Sequence, residues 1–111
     1  MRHTIKSRFI AVVAVAAAGL LVACVTVGRE FPAKNVAKLQ IGTTTQAQVK
    51  ALFGTPWRTG SEDGQLTWTY GHYRYALLGT THTRDLVVRF DARDVVASYT
   101  FNSTNPNDAP R

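Results

Sequence analysis

The 111-residue chain has one cysteine, Cys24, so no internal disulfide can brace it. Stability in an oxidising compartment must therefore come from the core alone. Acidic residues are few, seven Asp and Glu against thirteen Lys and Arg. No pair of carboxylates, no Ser/His/Asp order and no glycine-rich phosphate loop stands out, which argues against the common hydrolase and phosphotransferase layouts. Beyond residue 23 the only histidines are His72 and His82. They could approach each other across a hairpin, but a metal site needs further ligands, and no free thiol or acidic cluster accompanies them. Asp85, Asp91 and Asp94 flank strand ends, where turn chemistry accounts for them. The expectation is no enzyme, no metal and no cofactor. The apolar stretch Phe9 to Val22 has 14 residues, short of the roughly 20 that a membrane-spanning helix needs.

That stretch has another use. Arg2, Lys6 and Arg8 precede it and small residues close it, the layout of a secretory signal. Leu21-Val22-Ala23-Cys24 resembles the bacterial lipobox. In that motif the cysteine thiol receives a diacylglycerol, the signal is cut before it, and the new amine is acylated. A second acyl chain turns marginal membrane binding into stable anchoring. Residues 1–23 are thus expected to be a lipoprotein signal, 24–31 a lipidated terminus and tether, 32–102 the folded domain, and 103–111 a disordered tail. Val25, not aspartate, follows the cysteine, so the expected location is the outer membrane, facing the periplasm. Taking Arg2, Lys6 and Arg8 from the formal +6 leaves +3 on the mature side chains. Such a mild charge suits anionic lipid or an acidic protein and is too weak to argue for nucleic acid.

Within the mature part, Pro32 can open a helix at its first turn, with Ala33, Val36, Ala37 and Leu39 on one side. A second helix is marked by Thr45 and Gln48 as a capping box, by the stripe Val49, Leu52 and Phe53, and by Gly54 and Pro56 as its stop. After the turn-rich "RTGSEDGQ" the period changes to two. Leu66, Trp68 and Tyr70 alternate with threonines, Gly71 marks a bulge, and Tyr73 and Tyr75 follow. Leu86, Val88 and Phe90 form a second strand. A third carries Val95, Ala97, Tyr99 and Phe101 on its bulkier face. Asp94, in the loop between them, is expected in a left-handed turn conformation. The predicted fold is α+β, two N-terminal helices packed on a three-stranded antiparallel sheet.

These motifs, in this order, resemble the SmpA/OmlA domain of BamE-like outer-membrane lipoproteins. The matching residues are Gly42, Thr44, Thr45, Val49, Phe53, Gly54 and Pro56, then Trp68 and Tyr70, then Leu86, Val88 and Phe90. The resemblance covers about residues 36 to 102. It implies two helices on a three-stranded sheet and a non-enzymatic accessory role beside the barrel-assembly machinery. A related two-helix, three-strand unit occurs in β-lactamase inhibitor proteins. The alternative is therefore a stand-alone lipoprotein that binds or inhibits another periplasmic protein. If helices cover one sheet face, a partner must use another surface. Trp57, Tyr73, Arg74, Tyr75 and Arg89 are the candidates, since Trp, Tyr and Arg most often carry interface energy.

Overall fold

The computed structural model describes residues 24–108. The expected signal segment and the last three residues of the expected tail lie outside the described residues. Five strands form one antiparallel sheet: β1 (Cys24–Gly28), β2 (Arg58–Glu62), β3 (Gln65–Ala76), β4 (His82–Phe90) and β5 (Val96–Ser103). Between β1 and β2 lie a 3-10 helix, Ala33–Lys38, and an α-helix, α1, Gln46–Phe53. A short 3-10 turn, Pro106–Asp108, follows β5.

The expectation of two N-terminal helices on three strands is overturned. A strand precedes the helices, the sheet has five strands, and the first helix is a 3-10 segment. The two added strands have physical reasons. The strand β2, "RTGSE", is exposed along its whole length and shows no apolar alternation. It is made by its turn instead: Asp63 and Gly64 have φ of 50° and 79°, the pair of positive φ values that a two-residue hairpin turn requires. Strand β1 occupies the stretch expected as a tether. It pairs with the far end of β3, Cys24 opposite Ala76 and Gly28 opposite His72, a partnership too distant in sequence to announce itself locally.

The second helix follows its sequence signals closely. The Thr45 amide donates to Gln48 Oε1 at 2.9 Å, and the Gln48 amide donates to Thr45 Oγ1 at 3.2 Å. Gly54 ends the helix with φ of 85°. Val49 and Phe53 are buried beneath it, together with Phe31, Ala33, Val36 and Leu39 from the preceding segment. They cover one face of the sheet, formed by Tyr70, Leu86, Val88, Phe90 and Val96. This burial is the main source of stability in a domain without crosslinks.

Strand β5 enters the core differently from the expected face. Val88 pairs with Tyr99 and Arg89 with Ser98, but Phe90 pairs with Val96. One extra residue, Ala97, is a bulge. It turns the completely buried Val96 inward, where simple alternation would have placed Val95 and Ala97. The expected bulge at Gly71 is absent: β3 and β4 stay in register from Thr67–Arg89 to Arg74–His82. Ordinary alternation alone puts Tyr73 and Tyr75 on the face opposite Tyr70. Gly71 has a steric role, because a Cβ there would lie 2.6 Å from the Tyr73 ring.

The twelve-residue β3 is the centre of the sheet. Strand β4 runs along one edge. The other edge is shared by β2, beside residues 65–69, and β1, beside residues 72–76. Where they meet, the Arg29 amide donates to the Gly71 carbonyl at 2.8 Å and the Trp57 amide to the Thr69 carbonyl at 3.0 Å.

The loop between β4 and β5 ties the sheet to α1. Asp91 Oδ1 accepts from the amides of Arg93 at 2.8 Å and Val95 at 3.1 Å. These donors, foremost the Val95 amide, hold the Asp91 carboxyl below its ordinary pKa. Asp94 has φ of 59°, and its carbonyl accepts from the Gln46 amide at 2.8 Å. Because Asp94 serves through backbone groups at positive φ, Asp94→Gly is expected to be neutral or slightly stabilising, within about 1 kcal/mol. Urea unfolding tests this; a clear loss of stability would assign the carboxylate a structural bond.

Candidate interaction surface

The helices leave the second face of the sheet uncovered. Residues of β3 with odd numbers point there, and their register partners on neighbouring strands join them. Tyr73 therefore shares this face with Val27 of β1 and Thr83 of β4, and Tyr75 with Val25. The Tyr73 and Tyr75 rings stack with centroids 6.4 Å apart and planes 7° from parallel. Trp57, just before β2, brings its ring to 5.9 Å from Tyr73. The Arg58 guanidinium lies 4.4 Å from the Trp57 ring centroid, within range of a cation–π attraction.

Trp57 is half-buried and serves both faces. Besides meeting Tyr73, it lines a small cleft at the sheet edge with Phe31, Phe53 and Tyr70. The Tyr73 hydroxyl donates to Asp85 Oδ2 at 3.4 Å. Partial burial, and then the nearby Asp85 charge, push the Tyr73 phenol above its ordinary pKa. Tyr73 is thus held as a neutral donor and the ring row is fixed from one end.

Of the five candidate residues, the structure unites Trp57, Tyr73 and Tyr75. It separates the other two. Arg74 points to the helix side, opposite His82, and lines a cleft with His72, Arg84 and Asp108. His72 and His82 are therefore diagonal neighbours, each with an arginine opposite. Arg84 is ion-paired with Asp108 at 2.7 Å, and the Ser103 hydroxyl donates to the same carboxylate at 2.6 Å. The chain after β5, expected to be frayed, is in this way tied back as far as Asp108. Arg89 does lie on the open face, opposite Thr67. Thr67 lies six positions along β3 from Tyr73, roughly 20 Å, and Arg89 Nε is engaged by Glu62 Oε2 at 2.7 Å. Sequence reasoning missed Val25, Val27 and Arg58. The alternation of Val25 and Val27 in "CVTVG" was the available signal for the first two.

Among the described residues, no group of three His, Cys, Asp or Glu side chains converges as metal ligands would. Around Tyr73 the open face offers aromatic contact area beside one cation, Arg58. Residues 28–100 match the outer membrane protein assembly factor BamE domain, and the chain belongs to that family. The family consists of non-enzymatic accessory domains, associated with the outer membrane and facing the periplasm. No curated protein matches this chain.

Proposed function

We propose that the protein is a lipid-anchored accessory of outer-membrane protein assembly, held at Cys24 and facing the periplasm. It engages a protein of the barrel-assembly machinery through the row Trp57, Tyr73 and Tyr75. The observation that carries this reading is the clustering of three aromatic rings on a sheet face that the protein's own helices leave bare. Large aromatic side chains gain much from burial in a partner and lose few rotamers on doing so. Family membership supports the envelope setting. The exposed Cys24 is accessible for acylation.

The test replaces Trp57 by Ser and Tyr73 and Tyr75 by Thr in the full chain, followed by crosslinking in intact cells. Circular dichroism should show a retained fold. Capture of assembly-machine subunits should fall by about tenfold or more, as removal of interface anchors generally does. Arg89→Ala, at the far end of the same face and already held by Glu62, should leave capture unchanged. Undiminished capture by the folded triple variant would place the partner elsewhere. Aromatic-dependent capture of a periplasmic protein outside the machinery would favour the inhibitor alternative.

A further inference from the structure

Strand β1 begins at Cys24, and the register sets Cys24 opposite Ala76, the last residue of β3. Adjacent strands are about 5 Å apart. The residue that carries the anchor in the preceding reading is therefore built into the sheet, with no tether between lipid and domain. Beyond Ala76 the chain turns through residues 77–81 into β4. The Ala76 amide donates to Thr81 Oγ1 at 3.3 Å, and Gly79 adopts φ of 103°. At the tip stand Leu77 and Leu78, 83% and 86% exposed, the most exposed of the large hydrophobic side chains described. Hairpin turns favour Gly, Asn, Asp and Ser for conformational reasons; two adjacent leucines answer no such need.

The surroundings of the tip continue the pattern. Val25 and Tyr75, register partners beside it, are 54% and 49% exposed. Arg74 and His82 face each other on the opposite side of the sheet, two residues from Ala76 along β3. An apolar tip, a tyrosine beside it and the Arg74 cation behind it form the sequence of layers that a bilayer presents in reverse: hydrocarbon, interface and phosphate headgroups.

We propose that the β3–β4 hairpin tip, through Leu77 and Leu78, inserts into the leaflet that holds the lipid on Cys24, so that the domain stands directly on the membrane. The inference rests on the anchor reading of Cys24. It commits to a bilayer because acyl chains entering hydrocarbon from Cys24 leave the tip no room to be far from the surface. The anchor also makes insertion intramolecular, so a modest apolar contact is enough to populate it. Strands β3 and β4 then run outward from the membrane, with Tyr75 nearest the lipid, and the Arg89–Glu62 pair farthest away. Four of the five residues of β1 precede the family match, which starts at residue 28.

The test uses the full chain, expressed so that the anchor is added and reconstituted into vesicles of phosphatidylethanolamine and phosphatidylglycerol. Leu78→Cys introduces a thiol for a nitrobenzoxadiazole probe; Ser61→Cys, on exposed β2, is the control. With the Cys24 thiol carrying its diacylglycerol, each variant has one reactive thiol. At position 78 we expect blue-shifted emission, severalfold stronger quenching by nitroxides on the lipid acyl chains than at position 61, and shielding from aqueous iodide. Equal iodide access at both positions overturns the proposal. So does shielding at 78 without nitroxide quenching, which would indicate a second copy of the chain. Labelling of Cys24 itself in the unsubstituted chain overturns the anchor reading, and is distinguishable from either result.

Discussion

Replacing Phe90 by alanine is expected to lower the unfolding free energy by about 3 to 5 kcal/mol, the usual range for a buried phenylalanine. Phe90 is 1% exposed and meets Trp68 edge-on, with centroids 5.1 Å apart. It also sits at the β5 bulge, opposite Val96. The cavity would therefore open where β4, β5 and Trp68 converge, a place with little freedom to collapse because the bulge fixes the strand path. Domains of this size hold about 5 to 15 kcal/mol in all, and this one has no disulfide to offset the loss. The urea midpoint should fall with an unchanged denaturant slope. A loss under about 1 kcal/mol would show that Phe90 is not central to the core.

Gly28→Ala is expected to undo the docking of β1. Gly28 has φ of 84°, and a Cβ there would lie 2.1 Å from the Gly71 carbonyl oxygen. The obstacle is backbone in the central strand, so relief requires β1 itself to move, breaking the 2.8 Å bond from the Arg29 amide to that carbonyl. Positive φ adds a backbone strain of about 1 kcal/mol or more for alanine. Amides of residues 24 to 28 should lose most of their hydrogen-exchange protection while those of β4 keep theirs. Gly71→Ala is the instructive contrast: its Cβ meets the Tyr73 ring at 2.6 Å, and a ring can swing aside. Unchanged protection of β1 in Gly28→Ala would mean the strand tolerates a displaced register.

What could be read from the sequence was what is locally encoded. The capping box of α1, its Gly54 stop, the apolar alternation of β3 and β4 and the positive φ of Asp94 all depend on residues a few positions apart. The elements missed depend on distant partners or on backbone alone. Strand β2 has no buried side chain to betray it, and β1 is defined by residues 72–76. The bulge at Ala97 shifted the inner face of β5 by one residue, because a period of two cannot foresee an inserted one. The candidate surface was legible as a choice of residue types. Its assembly was not, since strand parity sends Arg74 and Tyr75 to opposite faces, and the register sets Arg89 opposite Thr67, far from Tyr73 and paired with Glu62.

The shared edge of β3 has a consequence for the order in which the chain folds. Strands β2 to β5 follow one another through short connections, so their contacts are local and form quickly. Strand β1 must close a loop from residue 28 to residue 72 before its first pair is made, and loop closure costs more entropy as the loop lengthens. The first segment of the domain to be synthesised is thus the last to be incorporated. Until it arrives, residues 72–76 present a row of unpaired backbone groups beside the Tyr73 and Tyr75 rings, a template for strand exchange between molecules. Arrival of β1 covers that template and leaves a strand of five residues, rather than the long central strand, as the edge that neighbouring chains meet.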